Sequence, residues 1–159
     1  MTRNAESGAL IGMSPYPPRI DVKTGGTMTG RSEIAELLRQ LNDIENRRPE
    51  LSVEETIAGI DSVMADDVEG WSNGVHVPNR EAERQTERML FEVLADYHRT
   101  FDRVIIEPPL ASVAWTITAT ANDTPISATG CSNFEINENG KIRRYWLYVD
   151  LTPFSALAQ

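Results

Sequence analysis

The chain has one cysteine, Cys131, and two histidines, His76 and His98, among 159 residues. A single thiol excludes an internal disulfide and gives no sign of an oxidising compartment. Positive charge is scarce: 15 Lys and Arg stand against 24 Asp and Glu, a formal net charge of -9. Nucleic-acid affinity depends on neutralising phosphates, so this balance argues against a nucleic-acid partner, and likewise against an anionic membrane surface. No apolar run approaches the roughly 18 residues that cross a bilayer. The N-terminus lacks the charged-then-apolar pattern of a secretory signal. These features lead to the expectation of a cytoplasmic protein with no membrane partner. No His, Cys or Glu spacing suggests a metal site, and no glycine-rich loop suggests a phosphate or dinucleotide, so no metal or cofactor is expected.

What is present is an ordinary globular composition, 40% hydrophobic and 25% charged. At this length one domain with one core is expected. Residues 1–30 carry Gly, Pro, Ser and Thr without a sustained apolar period and read as a flexible leader. Residues 31–159 read as the folded domain.

In "RSEIAELLRQLNDIENRR", Ile34, Leu37, Leu38, Leu41 and Ile44 fall on one helical face. Ser32 is placed to cap that helix, Arg47 and Arg48 suit its negative end, and Pro49 stops it. Ser52 and Glu55 have capping-box spacing for a second helix with Ile57, Ile60 and Met64 on its apolar side. "VEGWSN" reads as a short strand, with Trp71 and Asn73 on one side and Val68, Gly70 and Ser72 on the other. A long third helix is expected from Asn79 to about Thr100, with Ala82, Met89, Leu90, Val93 and Tyr97 on one face. From Asp102 the period becomes two, and "RVIIEP", "LASVAWTITATA", "PISATGCSNFEI" and "KIRRYWLYVDL" read as four strands. Helices followed by a run of strands predict an α+β fold with a mostly antiparallel sheet. The last strand carries aromatics on both faces, Tyr145 on one and Trp146 and Tyr148 on the other. A sheet apolar on both sides predicts a homodimer.

Three stretches carry a resemblance: "SVMADDVEGW", "NREAERQTERMLFEVL" and "FEINENGKIRRYWLYVDL". Over about residues 31–155 the chain resembles the nuclear-transport-factor-2-like superfamily, and within it the SnoaL-like group. The resemblance implies a curved sheet wrapped around three helices into a cone, a cystatin-like arrangement with an apolar pocket inside and often a dimer on the convex face. Members include polyketide cyclases, ketosteroid isomerase, limonene-epoxide hydrolase, dehydratases and non-catalytic binders, so the fold does not give the function.

Ketosteroid isomerase-like chemistry needs a carboxylate on the first strand and an oxyanion-holding Asp. Those positions fall on Ser72 or Asn73, and on Ser132. Epoxide hydrolase-like chemistry needs an Asp–Arg–Asp arrangement, whose positions fall near Trp115, Val113 and Leu147. The usual strand-borne carboxylates are thus missing. His76 becomes the sharpest acid–base candidate, because imidazole titrates near neutrality. Its plainer alternative is a solvated histidine in a surface loop. Asn73, Ser132 and Tyr145 are expected to orient a substrate or donate hydrogen bonds. Trp71, Val113, Trp115, Phe134 and Leu147 are expected to line the binding surface. The resulting expectation is a SnoaL-like pocket protein for a hydrophobic small molecule. It would act as a cofactor-independent cyclase, isomerase or dehydratase on a hydrophobic cyclic or polyketide-like substrate. The competing reading is a non-catalytic ligand-binding or structural dimer. Asp66, Asp67 and His98 read as solvated, Cys131 as a small packed residue, and Asp150 as a cap of the turn that follows it.

Overall fold

The computed structural model describes residues 29–154 except 95 and 122. Residues 1–28 of the expected leader lie outside the described residues, whereas Thr29 and Gly30 belong to the fold. The Thr29 hydroxyl donates to the Asn137 carbonyl at 3.2 Å, and Gly30 is the N-cap of the first helix.

Three helices and six strands follow: α1 (Arg31–Asn46), α2 (Val53–Val63), β1 (Met64–Ser72), β2 (Val75–Val77), α3 (Arg80–Val93), β3 (His98–Glu107), β4 (Leu110–Ala121), β5 (Thr124–Ile136) and β6 (Ile142–Val149). The architecture is α+β. One sheet runs in the order β2-β1-β6-β5-β4-β3, and every pairing is antiparallel except β1 with β6.

Helix α2 starts at the expected capping box, where the Ser52 hydroxyl accepts from the Glu55 amide and the Glu55 carboxylate takes the Ser52 amide. At α1 the Glu33 carboxylate accepts from the Gly30 amide at 2.6 Å, so Ser32 is not the cap. Asn79 caps α3 through the Ala82 amide.

Three boundaries differ from the sequence reading. Helix α2 ends at Val63, and Met64, expected on its apolar side, opens β1 ahead of the expected start at Val68. Helix α3 stops at Val93, and His98, Arg99 and Thr100 open the edge strand β3. "SNGVHV" forms a hairpin in place of a loop. Asn73 and Gly74, both at positive φ, make the two-residue turn that returns β2 against β1.

The core lies between the helices and one face of the sheet. Ile34, Leu38 and Leu41 from α1 and Ile60 from α2 meet Val113, Trp115, Ile117 and Phe134 of the sheet. Fully burying each such aliphatic side chain is worth about 1.5–3 kcal/mol. The last turn of α1 and the inner side of α3 do not follow this apolar rule, and there the site is built.

Candidate functional site

A cavity of about 390 Å³ opens between the helices and the inner face of the sheet. Strands β4, β5 and β6 supply Trp115, Ile117, Ser132, Phe134, Tyr145 and Leu147. Helices α1 and α2 add Leu41 and Ile60. Helix α3 contributes Leu90 and, at the exposed mouth, Met89 and Val93.

Into this apolar wall the chain sets three glutamates. Glu45 continues the α1 stripe of Leu38 and Leu41, one turn further on. Glu83 and Glu87 lie one turn apart on α3, in line with Leu90 and Leu94. All three are buried and line the cavity. Arg48, 2% exposed, sits among them. Its Nη2 donates to Glu45 Oε2 at 2.6 Å and also to Glu87, and its Nε donates to Glu45 at 3.1 Å. Its guanidinium lies 4.9 Å from the centroid of the Tyr97 ring, a cation–π contact. Arg99 of β3 adds a second cation, 3.8 Å from Glu45. The Tyr145 hydroxyl donates to Glu83.

Buried charge must be neutralised, and three carboxyl groups face only two guanidiniums. Burial raises the Glu83 pKa; the Tyr145 hydrogen bond opposes that rise, and repulsion from Glu45 adds to it. Burial, reinforced by Glu45, pushes Glu87 up to about 8 against the opposing pull of Arg48. Burial also works against ionisation of Glu45, but Arg99 and Arg48 outweigh it and hold its carboxyl below the ordinary range. Burial and the neighbouring Glu83 keep the Tyr145 phenol neutral. Near neutral pH, Glu45 is therefore ionised and Glu87 keeps its proton.

The site residues expected from the sequence separate into two groups. Ser132, Tyr145, Trp115, Phe134 and Leu147 line the cavity. The Ser132 hydroxyl accepts from Trp115 Nε1 at 2.9 Å, and a Cβ on Gly130 would collide with the Trp115 ring. Trp71, Asn73 and His76 do not reach the cavity. Strand β1 turns Gly70 and Ser72 inward, so its alternation sends Trp71 to the outer face. There the Trp71 ring stacks on His76 at 5.0 Å and on Trp146 at 5.4 Å. His76 is 49% exposed along its side chain and lies 3.5 Å from Glu69. Asn73 is held by backbone: its Nδ2 donates to the Val149 carbonyl at 3.1 Å and its Oδ1 accepts from the Val149 amide at 2.9 Å. Val113 is fully buried in the core.

Asp66 and Asp67 are exposed and pair with Arg80 and Arg143 at 3.1 Å each. Asp150 caps the turn after β6 by accepting from the Thr152 amide at 2.9 Å. Arg48 leaves the end of α1 and folds inward, so it is no surface counter-charge for that helix. Among the described residues, no group of three His, Cys, Asp or Glu side chains is placed to hold a metal ion, and no helix is long and apolar enough to cross a membrane.

Comparison with known proteins agrees with this architecture. The profile of the SnoaL-like domain family matches residues 50–145, more than half of the chain. AclR of Streptomyces galilaeus, named as a candidate hydroxylase, is 14% identical with a TM-score of 0.69, over 80% of this chain and 96% of its own. A protein of Jannaschia sp. CCS1, named as a candidate SnoaL-like polyketide cyclase, is 12% identical with a TM-score of 0.67, over 87% of this chain and 96% of its own. An M. tuberculosis LEH-like epoxide hydrolase is 14% identical with a TM-score of 0.62, over 80% of this chain and 90% of its own. At these identities the likeness establishes a nuclear-transport-factor-2-like fold and nothing finer. No curated protein matches the chain.

Proposed function

The chain belongs to the SnoaL-like domain family, and from that premise we propose that its cavity performs cofactor-independent proton transfer on a hydrophobic cyclic or polyketide-like carbonyl compound. The product would be a cyclised, isomerised or dehydrated one. The observation that carries this reading is the pair of buried carboxyl groups Glu83 and Glu87, one helical turn apart and both with raised proton affinity, in a cavity otherwise lined mainly by apolar side chains. An acid and a base side by side, with affinities pushed toward neutrality, are what reversible proton movement at carbon requires. The ionised member takes a proton from the carbon beside a carbonyl. The protonated member returns one to carbon, or to a departing hydroxyl. Tyr145, hydrogen-bonded to Glu83, orients that carboxyl toward the substrate.

Exchange of the α-protons of 1-tetralone for deuterium, followed by proton NMR, tests the proposal. The wild-type protein should accelerate exchange, and the Glu83→Gln/Glu87→Gln variant should not. Equal rates for the two proteins contradict the proposal and favour a non-catalytic binder on the same scaffold.

The outer face of the sheet supports a further part of the reading, a homodimer. It carries the Trp71–Trp146 stack and half-exposed Tyr148 beside the mixed-charge row Glu69, Arg144 and Glu135. A surface with both signs of charge can complement itself about a twofold axis. Light scattering at micromolar concentration should give twice the chain mass, and a Trp71→Glu variant the single mass. A monomeric wild type would contradict it. The single cysteine suits the reducing cytoplasm.

A further inference from the structure

Arg99 is held more firmly than recognition of Glu45 alone requires. Its backbone amide donates to Asn46 Oδ1 at 2.6 Å, and its carbonyl accepts from Asn46 Nδ2 at 2.9 Å. Its Nε donates to Asn42 Oδ1 at 3.0 Å, and its guanidinium lies 5.3 Å from the centroid of the Phe101 ring. Two asparagines of α1 therefore fix both the strand and the side chain. Arg99 is 8% exposed and lines the cavity, yet its Nη2 is buried with no hydrogen-bond partner. Buried guanidinium N–H groups are strong donors, and leaving them unpaired is costly. A guanidinium clamped on one side and unsatisfied on the other is prepared for an acceptor that arrives with a ligand.

Charge balance selects that acceptor. The cluster already has more carboxyl groups than guanidiniums, so a carboxylate ligand would add an uncompensated buried charge. A neutral carbonyl oxygen satisfies the donor without adding charge. Elsewhere on the cavity lining, Met89 on α3 and Leu151 after β6 are 61% and 56% exposed, and they offer apolar contact beyond the interior volume. We propose that Arg99 Nη2 is the anchor for a neutral carbonyl oxygen of the ligand, whose apolar body extends to the mouth at Met89 and Leu151. The assignment rests on the proton-transfer reading for its substrate class and makes Arg99 the residue that selects ketones over hydrocarbons of the same shape.

Three rigid probes test it: fluorene, 9-fluorenone and fluorene-9-carboxylate, titrated against the full chain by calorimetry. Fluorenone has no proton on the carbon beside its carbonyl, so its binding reads the anchor and not the acid–base pair. The wild-type protein should bind fluorenone about tenfold or more tighter than fluorene, as expected for a hydrogen bond to a charged donor, with the carboxylate weakest. Arg99→Met should reduce fluorenone to the affinity of fluorene and leave fluorene unchanged. Equal affinities in the wild type, a preference retained in Arg99→Met, tighter binding of the carboxylate, or no binding of either neutral probe overturns the assignment. The infrared carbonyl band of fluorenone bound to wild type needs no variant. It should lie below its position in hydrocarbon solvent, and an unshifted band also overturns the assignment. A wild type that shows no ketone preference but accelerates α-proton exchange would defeat the anchor alone; one that prefers the ketone but does not accelerate exchange would defeat the acid–base pair alone.

Discussion

Tyr145 lies across Gly70. The two residues are opposite one another where β1 and β6 run parallel, and a Cβ added at Gly70 would collide with the phenol ring. The glycine is therefore the seat that lets the Tyr145 hydroxyl reach Glu83. Gly70→Ala should destabilise the fold by about 1–3 kcal/mol, as overpacking does. It should also lower the rate of α-proton exchange more than it weakens ligand binding. Denaturant unfolding and exchange kinetics check the two effects, and an unchanged exchange rate would remove Tyr145 from the chemistry.

Arg48 joins Glu45 of its own helix to Glu87 of α3, so its removal takes a buried cation from both and leaves Glu45 with Arg99 alone. Arg48→Met should cost on the order of 3–5 kcal/mol. Adding Glu45→Gln and Glu87→Gln should recover most of that loss, because the burden is the uncompensated charge and not the missing contact. Urea unfolding of the single and triple variants measures the difference. Failure of the triple variant to recover would make Arg48 a packing residue.

The raised affinity of Glu87 for its proton makes the fold sensitive to alkali. The folded chain keeps a proton that the unfolded chain releases near its ordinary value of 4.5, and gives it up only near about 8. Between those limits the folded state binds more protons, so this contribution to stability falls as pH rises. Relative to Glu87→Gln, the wild-type protein should lose on the order of 2–4 kcal/mol from pH 4.5 to pH 8. Parallel denaturation series at the two ends give the comparison. A difference that stays constant with pH would mean that Glu87 is ionised throughout.

Much of the fold is legible in the sequence because apolar period and capping chemistry act locally. Ile34, Leu37, Leu38 and Leu41 mark the buried face of α1, and the inward set Val113, Trp115 and Ile117 is correct for β4. The cavity wall was legible on β4 to β6 for the same reason. The acid–base cluster was not. Acidic residues on an amphipathic helix belong by default to the solvated side, and the expected α3 face of Met89 and Val93 points to the mouth. The signal lay in spacing: Glu83, Glu87, Leu90 and Leu94 share one stripe, as do Leu38, Leu41, Glu45 and Arg48. The early end of α3 and the positive-φ Asn73–Gly74 turn likewise reflect local chemistry that a search for longer periods overlooks.

His76 shows the cost of choosing a residue by its intrinsic titration alone. It lies on the outer face against Trp71 and Glu69, beyond reach of the cavity. His76→Ala should change stability by less than about 1 kcal/mol and leave α-proton exchange within twofold of wild type. A large loss of exchange in that variant would restore the histidine to the mechanism.

A proton held by Glu87 beside Glu83 inside the cavity is the premise of the proton-transfer chemistry. Carbon-13 NMR of protein labelled at the glutamate side-chain carboxyl, titrated across the pH range, reads it directly. The account predicts a carboxyl resonance that is absent from the Glu87→Gln variant and titrates near about 8. If every glutamate carboxyl finishes titrating below about pH 5, in the ordinary range for exposed acids, the cavity holds no such proton and the account fails.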